Sequence, residues 1–312
     1  MLGRFGKDAG SLVGVEIAPP FIRLVQLRRQ RSRFTVQAWA LEPLPATAMH
    51  NAWIGDPDQV AAALLRAFRR CAIKTRRVAV ALPGGLVIEK LLSMPADFDD
   101  DAIAERLPVD AGQFIPFALE DAAIDFQALP LEPEHLEHQR VAVAACHQAL
   151  LDVLAASLES AGLRACVVEP DSHALRRAVQ VDGEQQALLL HVEGEALVFH
   201  ELNEGPQAQR RKVSPYRQED LAQSLVMAVD NYLLSRPERG LPGQLLLSGA
   251  GSGDRHLPGQ LQQRLGMVVR HVNPFVSLAL AQEIDADSII AQAPQLAVAC
   301  GLAMCEGERC VL

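Results

Sequence analysis

Three apolar, strand-like runs open the chain, Leu12–Ile17, Phe21–Arg28 and Arg33–Leu41, and their short connections predict an antiparallel meander. Pro43, Pro45 and Gly55-Asp56-Pro57 then punctuate the sequence, and Val60, Leu64, Leu65 and Phe68 recur at the spacing of a helix's apolar face. Arg77–Leu82 reads as a buried strand that stops at Pro83-Gly84-Gly85. Meander, helix and buried strand together make an α/β layout.

The pattern changes after Leu86. Val87–Met94 reads as a strand, and Asp97-Phe98-Asp99-Asp100-Asp101 as an acidic helix start that complements the positive end of the helix dipole. Pro108 falls where that helix should still be running and predicts a kink or an early stop. Ala122–Leu129 and Arg140–Cys146 are strands about the polar loop Glu132–Gln139, and Gln148–Ala161 is a helix ended by Gly162. The opening theme then returns. Cys166–Glu169 is a strand, Asp171 caps a helix over Ser172–Val179, and Ala187–His191 with Ala196–Leu202 form a hairpin. Asn203–Arg217 reads as a polar link, Glu219–Ser235 as a long helix, and Gln244–Ser248 as a strand running into Gly249-Ala250-Gly251-Ser252-Gly253. The helix Leu257–Leu265, the strand Val268–Val272 and the helix Gln295–Met304 follow. Two halves that each open on a hairpin imply an internal duplication: a first half over 1–85, an inserted subdomain over 86–165, and a second half over 166–312 whose helix at 295–304 packs back on the first.

Composition narrows the function. With 312 residues and 49% apolar content the chain has material for two cores, and its net charge of −9 argues against a nucleic-acid binder. Arg23, Arg28, Arg29, Arg31 and Arg33, and then Arg66, Arg69, Arg70, Lys74, Arg76 and Arg77, read as two solvated positive segments. The six cysteines form no C-x-x-C pair and mostly sit in apolar surroundings, the pattern of reduced thiols in a cytosolic protein, with no metal site expected. The opening "MLGRFGKDAGSLVG" lacks a signal peptide's apolar core, and the longest apolar runs, Val78–Leu82 and Leu296–Cys305, are too short to span a bilayer. His135 and His138 sit among glutamates as a solvated turn. The acidic run at Asp97–Asp101 lacks the glycine and final glutamate of a calcium loop. Cys146 and His147 are strand neighbours pointing to opposite faces, which excludes a nucleophile pair.

Several stretches, in order along almost the whole chain, carry a family resemblance: "GVEIAPPFIRLVQL", "QFIPFALEDAAIDF", "AGLRACVVEPDSHAL", "LLLSGAG", "VNPF" and "AVACGLAM". Together they resemble PilM, the family of actin-like cytoplasmic proteins of type IV pilus assembly. The resemblance implies an actin-like ATPase fold, two ribonuclease H-like α/β halves about a nucleotide cleft with a small α+β subdomain inserted in the first. It implies ATP and Mg²⁺ as ligands of the fold. It also implies a groove beside the subdomain for the cytoplasmic tail of PilN, an inner-membrane pilus protein, and Phe114, Ile115, Pro116 and Phe117 are its candidate lining. Association with the inner membrane would run through that partner, without insertion.

In such folds two hairpin tips hold the phosphates, each with Asp-x-Gly and a small hydroxyl residue; the Asp serves Mg²⁺ through water and the Gly lets backbone N–H groups close on oxygens. The first tip here has Glu16, Ala18, Pro19 and Pro20, so the acid survives, the glycine is gone and two N–H donors are missing. The second has His191, Glu193 and Gly194. A carboxylate about 4 Å from a phosphate costs roughly 1–4 kcal/mol per pair. Ser248, Gly249, Ala250 and Gly251 match the family's adenine-contacting glycine turn, while the helical segment that flanks the nucleotide in the family is replaced by the short link after Leu202. The expectation is a pilus-assembly adaptor with a degenerate nucleotide site and no catalytic residue. The alternative is an active ATPase or a sugar-kinase-like phosphotransferase.

Overall fold

A computed structural model describes residues 12–30, 33–50, 53–131, 137–179, 187–193, 196–202, 211–213, 221–236 and 242–305. The meander is β1 (Val13–Ala18), β2 (Phe21–Gln30) and β3 (Arg33–Pro43), followed by the short strands β4 (Met49–His50) and β5 (Trp53–Ile54), helix α1 (Pro57–Arg70) and β6 (Arg77–Leu82). α1 starts where Asp56 accepts hydrogen bonds from the Asp58 and Gln59 amides with Pro57 in the first turn. The inserted block is β7 (Ile88–Pro95), α2 (Asp100–Ala111), β8 (Ala122–Ala128), β9 (His138–His147) and α3 (Gln148–Ser160). β10 (Arg164–Pro170), α4 (Asp171–Ala178), β11 (Ala187–Glu193), β12 (Ala196–Glu201), β13 (Arg211–Val213) and α5 (Leu221–Leu234) follow, and then β14 (Gln244–Gly249), α6 (Leu257–Leu265), β15 (Val268–His271), β16 (Ala279–Leu280), α7 (Ala286–Ala291) and α8 (Ala297–Ala303).

The two main sheets repeat one topology. The first runs β10-β6-β1-β2-β3-β16 and the second β13-β12-β11-β14-β15. In each, a hairpin (β1–β2, β11–β12) is extended by a third antiparallel strand (β3, β13), while the first hairpin strand pairs in parallel with β6 or β14, which pairs in parallel with β10 or β15. Alternation along the strands feeds two cores from each sheet. Val13, Val15 and Ile17 join Val78, Val80 and Leu82 under α1 and α3, whereas Ala79 and Ala81 face α4 and α8. In the second sheet Leu188, Leu190, Leu245 and Leu247 pack on α5 and α6, and Leu189 and Leu246 join the α4–α8 core. α4 and α8 are therefore shared between the sheets. Two glycines set how closely they lie: a Cβ on Gly14 would stand 1.9 Å from the Ala299 carbonyl oxygen, and one on Gly301 1.8 Å from that of Ala174.

Three sequence expectations need correction. α2 does not stop at Pro108; Asp99 caps it through the Ala102 amide and it continues to Ala111, because the proline removes one hydrogen bond only a turn from the end. Asp171 is not a cap, since Pro170 holds that position and Asp171 lies buried inside the first turn. Within the presumed link 203–217, Arg211–Val213 is a strand on β12, and the remainder of that link lies outside the described residues.

Candidate functional site

The parallel strands β1, β6 and β10 end together at the edge of the first sheet that carries its hairpin tip, and the second hairpin tip ends β11 at the equivalent place of the second sheet. At the first tip Glu16 and Arg23 are cross-strand partners, at mirror positions about the cis Pro19–Pro20 bond. Arg23 is 1% exposed, and its Nη1 lies 3.5 Å from Glu16 Oε1. The same nitrogen donates to the Ala18 carbonyl at 3.2 Å and reaches that of Phe21 at 3.4 Å, while the Pro20 carbonyl accepts from the Leu44 amide. Burial raises the Glu16 carboxyl above its ordinary range; Arg23 partly offsets this and the nearby Asp171 adds to it. The tip thus presents carbonyls rather than N–H groups, and its carboxylate faces a guanidinium of its own chain. Arg23 corrects the sequence reading: it is the most buried of the described early arginines and no part of a solvated segment.

At the second tip a histidine–serine hydrogen bond ties β11 to β14. His191 is 4% exposed, opposite Ser248 in the parallel β11–β14 register, and its Nδ1 shares a 2.8 Å hydrogen bond with the Ser248 hydroxyl. Gly194 and Glu195 lie outside the described residues, and for Glu193 the backbone alone is described, paired with Ala196. Gly249 has φ +92°, and a Cβ there would stand 2.3 Å from the Val192 carbonyl, so this glycine is required by a close strand approach. Ala250 and Gly251 continue into a short 3₁₀ turn closed by the Ser252 hydroxyl donating to the Gly249 carbonyl at 2.8 Å. His271, which the sequence reading passed over, lies beside Ser252; burial pushes its imidazole down, and a hydrogen bond with the Ser252 backbone and the charge of Asp254 pull the other way.

Helix α4 makes polar contacts to both the subdomain and β10. Glu89 of β7 meets His173 Nε2 at 2.7 Å and the Ser172 hydroxyl at 3.5 Å, and Arg177 pairs with Glu169. In the subdomain β9 is central between β7 and β8, and α2 covers one face of the sheet. Ile115 is 6% exposed and packs with Ala111 and Ala145. Phe114 is half-buried against both subdomain cores, Pro116 is exposed, and Phe117 stacks on His147 with ring centroids 3.7 Å apart.

The sequence model of the family described as type IV pilus assembly protein PilM matches residues 14–197 and 192–306. The chain belongs to the PilM family. A solved PilM–PilN type IV pilus biogenesis complex aligns over 96% of this chain and 99% of its own, at 22% identity and a TM-score of 0.80. The ethanolamine utilization protein EutJ of Carboxydothermus hydrogenoformans aligns over 94% and 89%, at 11% identity and a TM-score of 0.51. A Bacteroides thetaiotaomicron protein of unknown function with an actin-like ATPase fold covers 98% and 100%, at 12% identity and a TM-score of 0.49. The duplicated sheets and shared helices, with the 0.80 match to a PilM chain in particular, give the fold class: an actin-like α/β fold.

Proposed function

We propose that this PilM-family chain is a cytoplasmic adaptor of type IV pilus assembly that holds the cytoplasmic tail of an inner-membrane, PilN-like protein, and that its nucleotide site is degenerate. Family membership supports the pilus role, and the solved PilM–PilN complex supports the partner. The observation that carries the degenerate site is the Glu16–Arg23 pair: the carboxylate that would serve Mg²⁺ is buried against a guanidinium of the same hairpin. Phosphoryl transfer rests on positioned donors and charge, and the two prolines remove donors where the fold needs them. In this reading Phe114, Ile115, Pro116 and Phe117, within the subdomain at 86–165, line the tail groove; Phe117 and Pro116 supply accessible surface and Ile115 anchors the loop. Ser248, Gly249, Ala250 and Gly251 serve strand packing rather than adenine. Among the described residues no helix is long and apolar enough to cross a membrane, consistent with attachment through the partner.

The test is titration calorimetry of the purified chain with ATP and Mg²⁺, and separately with a synthetic tail peptide of the membrane protein. Peptide binding that does not depend on ATP, with no heat from ATP itself, is expected. Tight ATP binding would overturn the degenerate site, and absence of peptide binding would overturn the adaptor.

A further inference from the structure

The basic residues that the sequence scatters over separate stretches meet at one end of the six-stranded sheet. β2 runs past the start of β1, whose Val13 pairs with Gln26, and so carries Arg28 and Arg29 beyond it; Arg33 opens β3 opposite Gln30. Arg77 opens β6 and pairs with Arg164 at the start of β10, and the Arg164 amide donates to the Arg76 carbonyl. Neighbouring strands lie about 4.8 Å apart, so these turns form one rim across the strand ends. Lys74 belongs to the same turn as Arg76. Among the described residues of the turns at 28–33, 71–77 and 159–164 there are seven cations and one carboxylate, Glu159. All seven except Arg77 are exposed. A fourth turn leads to β16, whose Ala279 pairs with Thr35 opposite Arg28; it buries Phe275 against Leu27 and Val36 and leaves Val276 80% exposed.

We propose that this end of the sheet is a docking face for an anionic membrane surface, an interaction separate from tail capture. Two features favour a bilayer over an acidic polypeptide. The cations stand on long flexible stems at the ends of four strands and the turn before β6, spread over the breadth of the sheet rather than in line along one strand. An exposed valine, Val276, stands at the same end, and apolar residues among cations serve interfacial binding. The net charge of −9 does not oppose this. Glu169 and Asp171 lie at the far end of β10, about 17–23 Å away at ~3.3 Å per residue, and the Debye length at physiological salt is about 8 Å. A membrane at the rim therefore senses the rim and hardly the acids at the other end of these strands.

The experiment is flotation of the full chain with phosphatidylcholine vesicles, with and without phosphatidylglycerol, over a salt series. Binding only to the phosphatidylglycerol vesicles, weakening with salt, is expected. Arg28→Gln with Arg33→Gln should lower the partition coefficient about thirtyfold, taking about fivefold per cation at an anionic leaflet. Arg264→Gln with Arg270→Gln removes the same charge from the second half and should leave binding within about twofold, since charges beyond a Debye length are screened. Thermal melts accompany each variant, and Arg76→Gln with Arg164→Gln gives the same readout should the first pair fail to fold. The proposal is overturned by absence of enrichment on anionic vesicles, by equal loss from the rim and control pairs, or by binding to a polyglutamate peptide without binding to vesicles.

Discussion

The two hairpin tips stand at equivalent places in a repeated topology, yet different chemistry closes them. At the first, a buried carboxylate is retained and opposed by a buried arginine, with Asp171 adding negative charge nearby. At the second, the acidic position is a histidine sharing a hydrogen bond with Ser248, and the glycine turn beside it is fixed by a backbone approach. Burying an ion pair is expensive because both partners leave water, whereas a histidine–serine bond replaces hydration at little cost. The comparison teaches that one ligand geometry can be given up by two routes. One keeps the acid and sets an arginine of the same hairpin against it; the other replaces the acid with a histidine bonded to a serine. The first route leaves a latent liability, since each partner depends on the other.

The largest expected effect exposes that liability. Arg23→Met leaves Glu16 buried without its counter-charge and should cost about 3–5 kcal/mol in chemical denaturation, while adding Glu16→Met should recover most of it. A single variant as stable as the parent would show that the pair does not hold the tip. At the second hairpin the matching weak point is steric. Gly249→Ala adds a Cβ against the Val192 carbonyl at a positive φ and should cost about 3 kcal/mol, the loss unchanged by added salt. A loss that shrinks in salt would assign an electrostatic share to it. Next, His191→Leu leaves the Ser248 hydroxyl without that bond in a buried site and should cost about 1–2 kcal/mol by urea unfolding. The smallest effect is in pH. Because burial raises the folded Glu16 carboxyl above 4.5, the unfolded chain releases that proton first. Its contribution is fully present below the unfolded value and declines as pH rises through the raised folded value. Glu16→Gln should flatten stability against pH across that window, and an unchanged slope would place the titration elsewhere.

Much of the architecture was legible in the sequence because it follows from local rules. The meander, the Asp56-capped α1, the acidic start of α2 and the strand before the glycine turn all announce themselves through apolar runs, caps and turn residues. The site was legible in its losses, since prolines and missing glycines show on the page, but not in what replaced them. Arg23 looked like one more arginine in a basic run, and its burial depends on the hairpin register. Counting outward from Pro19-Pro20 would have set it opposite Glu16. Asp171 looked like a cap because acidic residues favour helix starts; only the packing of α4 between two sheets turns it inward. The basic rim was hidden for a related reason, because Arg164 lies far along the chain from Arg28 and Arg77 and meets them only through parallel strand pairing.

The close seating of α8 on β1 has a consequence for how the molecule is made. About 285 residues separate Gly14 from the Ala299 carbonyl it nearly touches, so at roughly 5–20 residues per second the ribosome needs tens of seconds between emitting the strand and emitting the helix. Until then one face of the first sheet, with Ala79, Ala81 and Val25, lacks its cover. The nascent chain carries that face open until α8 has been made, a natural landing place for a holding chaperone, and the emergence of α8 is the moment at which both halves can finish packing together.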